Sequence, residues 1–78
     1  MWVVITRDQC NFCDVAKTLL KSNNRQYQVY NVQDGSSKWV LQLMKKAGLT
    51  TVPQVFRPDG SHVGGYKELQ QLLKEGPT

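Results

Sequence analysis

Two cysteines with two residues between them, Cys10-Asn11-Phe12-Cys13, are the residues of this 78-residue chain best suited to covalent chemistry. Thiols at this spacing can close a disulfide, and a thiolate can attack one. If Cys10 sits where a strand runs through a short loop into a helix, unpaired backbone N–H groups and the helix dipole favour its thiolate, the attacking species. Cys13 then lies about one turn further on, close enough to attack a mixed disulfide formed at Cys10. Arg7 can add positive charge beside the first sulfur. Cys10 is accordingly expected to be exposed and Cys13 shielded. Two plainer readings stand beside this one. A fixed disulfide closing so short a loop stabilises by only about 2 kcal/mol and does not persist in a reducing cytosol. A zinc site would need both cysteines, His62 and a further ligand, and the chain has no second cysteine pair. In a cytosolic βαβ setting the motif reads as a thiol–disulfide redox pair.

Two further points carry information. Thr51-Val52-Pro53 is on its own a proline at the entry of a strand. Beside a Cys-x-x-Cys loop the sharper reading is a cis Val52–Pro53 bond that turns the Val52 N–H and C=O outward, where an extended peptide can pair with them. Gly64-Gly65 is at least a strand-to-helix turn. Two glycines also let a ligand approach the backbone, and the N–H groups of Tyr66 and Lys67 at a helix start can hold a carboxylate.

The elements that must position these residues follow from the hydrophobic pattern. Residues 1–6 form a β-branched and apolar run that reads as a strand buried on both faces. A helix follows from Cys13, with Val15, Ala16, Leu19 and Leu20 on one face and Lys17 and Lys21 on the other, stopped by Asn23-Asn24. Residues 27–32 read as a second strand, and Asp34-Gly35-Ser36-Ser37 as a loop ending in a helix N-cap. Val40, Leu43, Met44 and Ala47 mark a second helix, closed by Gly48. Residues 51–56 read as a strand, Pro58-Asp59-Gly60-Ser61 as a turn and His62-Val63 as a fourth strand, giving a hairpin over 54–63. Leu69, Leu72 and Leu73 mark a last helix, and Gly76-Pro77 ends the chain. The order βαβαββα predicts an α/β fold: a four-stranded mixed sheet, its first two strands parallel, with helices on both faces.

Composition narrows the function. The length suits one domain, residues 1–78, and 40% hydrophobic residues suit a folded chain. No apolar run approaches the roughly 20 residues of a membrane span. The opening MWVVITRDQC lacks a basic segment ahead of an apolar stretch and does not read as a signal peptide, so a cytoplasmic setting is expected. The net charge of +4 is spread from Arg7 to Lys74, with Lys45-Lys46 the only adjacent pair, which does not indicate nucleic acid.

The three points, in this order, resemble the glutaredoxins. The matching residues are Arg7-x-x-Cys10-x-Phe12-Cys13, then Thr51-Val52-Pro53-Gln54-Val55-Phe56, then His62-Val63-Gly64-Gly65-Tyr66, and the resemblance covers about residues 2–74. The short length and the run Pro58-Asp59-Gly60-Ser61-His62 look most like phage-encoded or small bacterial members. The resemblance implies a thioredoxin-like fold, with Cys10 as nucleophile and Cys13 as resolving thiol. It implies glutathione as co-substrate, no bound cofactor and no metal. The implied glutathione- or peptide-binding set is Arg7, Asn11, Phe12, Thr51, Val52, Pro53, Gly64, Gly65, Tyr66 and Lys67. Arg7 stands at the family's carboxylate-pairing lysine, and Phe12 at the tyrosine flanking the groove. Thr51 to Pro53 match the segment pairing with the glutathione backbone, and Gly65 to Lys67 the turn holding its γ-glutamyl end.

Three departures stand out. Asn11 replaces the usual proline, at a position that tunes redox potential. Lys67 replaces an acidic residue that pairs with the glutathione ammonium. Val40 stands where the family often has Arg or Gln for a carboxylate, with Lys38 the nearest substitute. Glutathione is therefore expected to bind weakly. The implied activity is that of a monomer reducing protein disulfides and glutathione mixed disulfides, with ribonucleotide reductase as an electron acceptor. The alternatives are a redoxin of the same fold recharged by thioredoxin reductase, and an iron–sulfur carrier in which Cys10 from two chains and two glutathiones hold a [2Fe–2S] cluster. The second belongs mainly to monothiol members, and Cys13 argues against it.

Overall fold

The computed structural model describes residues 1–74, so the expected chain end at Gly76-Pro77 lies outside the described residues. A central strand β1 (Trp2–Thr6) leads into helix α1 (Asn11–Ser22) and strand β2 (Tyr27–Asn31). A 3-10 turn (Gly35–Ser37) then precedes helix α2 (Lys38–Lys46), the hairpin β3 (Gln54–Phe56) and β4 (His62–Gly64), and helix α3 (Tyr66–Lys74). The sheet order is β2-β1-β3-β4. β1 pairs parallel with β2 and antiparallel with β3, and β3 antiparallel with β4. The mixed four-stranded sheet is the one the βαβαββα pattern predicts. Among the described residues no helix is long and apolar enough to cross a membrane.

Strand alternation sends neighbouring side chains of β1 to opposite faces. Trp2 and Val4 pack with Val55 against Ala16 and Leu20 of α1 and Leu69 of α3. Ile5 packs on the other face with Val40 and Met44 of α2, flanked by Val3, Tyr30 and Phe56. Both faces of β1 are thus covered, which is why its sequence is apolar without alternation.

Several boundaries and faces differ from expectation. α1 begins at Asn11 rather than Cys13, with Cys10 as its N-cap. Its buried stripe is Cys13, Ala16 and Leu20. Val15 projects about 140° away from that stripe at ~100° per residue and is exposed. Lys17 lies next to the stripe, half-buried, and pairs with Asp14 at 3.3 Å. On α2, Leu43 and Ala47 are exposed, because the helix presents Val40 and Met44 to the sheet. Ser37 occupies the α2 N-cap without a side-chain cap bond, and Asp34 caps the preceding 3-10 turn. Gly48, at φ +74°, ends α2 as expected: its N–H donates to Lys45 C=O and that of Leu49 to Met44 C=O, the paired bonds of a Schellman end. β3 starts at Gln54 rather than Thr51, since Pro53 has no N–H to give a ladder.

Candidate active site

The loop after β1 is tied to the end of β2, which fixes where α1 begins. Asn31 Nδ2 donates to Asp8 Oδ1 at 2.7 Å, the Asp8 N–H donates to Gln33 Oε1, and the Gln33 N–H donates to Asn31 Oδ1 at 2.9 Å. Gln9 takes a positive φ of 53° to bring Cys10 round to the helix start. The two bonds to Asp8 join residues more than 20 positions apart, and spacing in the sequence gives no sign of them.

Cys10 and Cys13 are disulfide-bonded, with Cα atoms 5.2 Å apart. The Cys13 backbone N–H donates to Cys10 Sγ at 3.2 Å, so the first sulfur accepts one of the orphan donors of the helix start. Reduction would leave a thiolate at this acceptor position, stabilised by the same bond and by the dipole. Cys10, expected to be exposed, is buried at 8% exposure, and Cys13, at 1%, is shielded as expected. Part of the cover is the Thr51-Val52-Pro53 loop. The Val52–Pro53 bond is cis, and the Val52 carbonyl oxygen lies 4.0 Å from Cys10 Sγ.

Arg7, Thr51 and Val52 come together on one groove of about 550 Å³, joined by Leu41, Lys45 and Leu49. Lys45 is the α2 cation on this groove. Val40, matched above to a carboxylate-binding position, is buried in the core and cannot serve, and Lys38 is not among the residues lining the groove. The available signal is the i, i+4 pair Leu41 and Lys45, beside the Val40–Met44 stripe of α2, whose Met44 also lines the groove.

The remaining candidates lie around the start of α3. Phe12 of α1 and Tyr66 of α3 stack with ring centroids 4.5 Å apart and planes 6° from parallel. Phe12, expected to flank the groove, therefore lies against Tyr66, expected in the turn that holds the γ-glutamyl end. Asn11 is exposed at the first position of α1. Pro53 is buried, and its carbonyl oxygen lies 3.6 Å from where a Gly65 Cβ would stand. Lys67 borders a separate hollow of about 530 Å³ with Arg57, His62 and Glu68 rather than the Arg7 groove. Glu68 was missed. Its side chain folds back on the glycine turn, with Cγ 2.9 Å from the position a Gly64 Cβ would take. A carboxylate thus stands beside the turn one residue later than expected. Among the described residues no three His, Cys, Asp or Glu groups gather as a metal cluster.

The glutaredoxin family model matches residues 2–63, which hold both cysteines and the Thr51-Val52-Pro53 segment. The chain belongs to the glutaredoxin family. It is 36% identical over 73 residues to glutaredoxin 3 of Escherichia coli, covering 94% of this chain and 86% of that one. It is 33% identical over 75 residues to the glutaredoxin of phage T4, covering 85% and 86%. Among solved structures it is similar to a buckwheat glutaredoxin–glutathione complex, with TM-score 0.81, 28% identity, and 96% and 69% of the two chains covered. As a glutaredoxin with a disulfide-forming Cys10–Cys13 pair, it is a thiol–disulfide oxidoreductase.

Proposed function

We propose that this glutaredoxin reduces protein disulfides and glutathione mixed disulfides in the cytoplasm, and that glutathione restores its dithiol. The observation carrying this reading is the Cys10–Cys13 disulfide at a helix start, with the Val52 carbonyl 4.0 Å from Cys10 Sγ. Val52 shares its groove with two cations, Arg7 and Lys45, suited to the carboxylates of a small acidic thiol. The similar buckwheat protein has a structure with glutathione.

In the forward step the Cys10 thiolate attacks one sulfur of the substrate disulfide. The substrate S–S bond breaks, a Cys10–substrate disulfide forms, and the leaving thiolate takes a proton. Cys13 then loses its proton and attacks Cys10 Sγ, forming Cys10–Cys13 and releasing the second substrate thiolate. Two electrons pass to the substrate and the protein is left oxidised, the state seen here. Two glutathione thiols return the electrons and leave as glutathione disulfide.

The test is reduction of the oxidised protein by glutathione with glutathione reductase, side by side with thioredoxin reductase. Faster recharging by glutathione is expected. Recharging by thioredoxin reductase alone overturns the glutathione assignment, an outcome that Lys67, an ammonium in place of an acidic residue, would favour. Repeating the assay with oxidised ribonucleotide reductase as acceptor tests that partner. Absorption in the visible range after anaerobic reconstitution with iron and sulfide would mark the cluster-carrier alternative.

A further inference from the structure

Gln54 occupies a place where an apolar residue would be expected. It is 6% exposed on β3, opposite Ile5 of β1. Burying an amide is costly unless its polar atoms are paired. Those of Gln54 are: Nε2 donates to the Thr51 carbonyl oxygen at 3.0 Å and to Thr51 Oγ1 at 3.3 Å. Oε1 meets His62 Nε2 at 2.7 Å. The Thr51 carbonyl can only accept, so the Gln54 amide must face it, and Oε1 must face His62. His62 Nε2 therefore carries the proton and donates. The imidazolium donates in the same way, so the bond survives a change of charge on the ring. The ring rests on Phe56, with centroids 5.0 Å apart. Thr51 itself is exposed, and water could satisfy its carbonyl. The buried amide therefore does little for solvation, and its bonds tie β3 to Thr51.

We propose that Gln54, braced by His62, is a positioning residue that sets the Thr51–Val52 rim against which the substrate's backbone lies. The proposal rests on the disulfide-reducing reading above. Gln54 touches neither sulfur. It acts through Thr51 and Val52, the residues that line the Arg7 groove and carry the carbonyl facing Cys10. Loosening the rim should weaken substrate binding and leave thiol chemistry intact.

The experiment compares Gln54→Met, His62→Leu and His62→Gln with the wild-type protein on a glutathionylated peptide. Gln54→Met keeps length and removes the hydrogen bonds, so KM should rise about tenfold with kcat within about twofold, the loss expected for one to two hydrogen bonds. Iodoacetamide should modify reduced Cys10 at an unchanged rate, and the denaturation midpoint should shift little, because the groups left without Gln54 belong to the exposed residues Thr51 and His62 and can turn to water. His62→Leu should raise KM by about threefold, and His62→Gln, which keeps a donor at the same reach, should restore it. An unchanged KM in Gln54→Met, or equal effects of the two His62 variants, overturns the proposal. Should Gln54→Met fail to fold, the exposed His62 pair decides alone. A readout without turnover separates this proposal from the function beneath it. Order parameters of the Thr51 and Val52 amides from ¹⁵N relaxation should fall in Gln54→Met and His62→Leu and recover in His62→Gln. A wild-type protein inactive on every disulfide would sink the function, and relaxation would still decide whether Gln54 holds the rim.

Discussion

Gly64 and Gly65 make different demands on the structure, and replacing each alone with alanine separates them. Gly64 has φ +126°, and an added Cβ would stand 2.9 Å from Cγ, 3.0 Å from Cβ and 3.2 Å from Cδ of Glu68. The backbone conformation alone costs an alanine about 1–3 kcal/mol. The contact adds about 1 kcal/mol, since the atoms met are near the root of Glu68 and the first turn of α3 must give. Stiffening the unfolded chain returns roughly 0.5 kcal/mol. Gly64→Ala should therefore destabilise by about 2 kcal/mol, a drop in Tm of ~8–16 °C for a domain of this size. At Gly65 an added Cβ meets the Pro53 carbonyl oxygen at 3.6 Å and Glu68 Oε2 at 3.9 Å, ordinary contacts. Gly65→Ala should leave stability within about 0.5 kcal/mol. Its methyl would still enter the space between Pro53 and Glu68 where the γ-glutamyl end of glutathione is expected, so KM for glutathione should rise. The assays are urea denaturation of both variants, then initial rates against glutathione concentration. Equal stability losses, or a Gly64→Ala within about 0.5 kcal/mol of wild type, refute this division of roles.

Cys10→Ser should abolish all thiol transfer. Cys13→Ser should accumulate mixed disulfides with protein substrates while still turning over small glutathione mixed disulfides, and full protein-disulfide reduction by Cys13→Ser would break the dithiol mechanism. In the reduced wild-type protein, iodoacetamide at mildly acidic pH should modify Cys10 before Cys13, as mass spectrometry of the peptides would show. Lys67→Asp should raise the rate at low glutathione by up to about fivefold, the worth of an exposed ion pair. The gain should fade at high salt and should be smaller where the neighbouring Glu68 already meets the ammonium. Hydrogen bonds from the Ser61 backbone N–H and hydroxyl, with Arg57 nearby, lower the Asp59 carboxyl below its ordinary value. Its stabilising effect is therefore full above the unfolded-state value and lost as pH falls through the lowered folded value. Asp59→Ala should be less stable than wild type at neutral pH, and denaturation curves of the two should converge in acid.

The features legible in the sequence share one property: each is read within a few residues. The Cys-x-x-Cys pair, the cis Val52–Pro53 bond, the Gly48 helix end and the burial of β1 on both faces all rest on local chemistry or pattern. Helix faces were legible only in part. Val15 and Leu43 read as inward because they are apolar, whereas α1 and α2 are oriented by residues of the i, i+3, i+4 and i+7 series that meet the sheet.

What stayed illegible depends on contacts between distant segments. Lys45 reaches the Arg7 groove because α2 crosses the sheet where it does, and no motif ties residue 45 to residue 7. Glu68 reaches the glycine turn because α3 starts immediately after it. A residue-by-residue match to the family's acidic position finds Lys67 and stops there. Gln54 and His62 are the clearest case: each falls inside a matched family segment, yet their joint action on Thr51 appears only when β3 and β4 pair. The motif identifies the sulfur that reacts. The placement of what binds beside it is set by the hairpin and the helix starts, and there the specificity of this chain should part from that of its relatives.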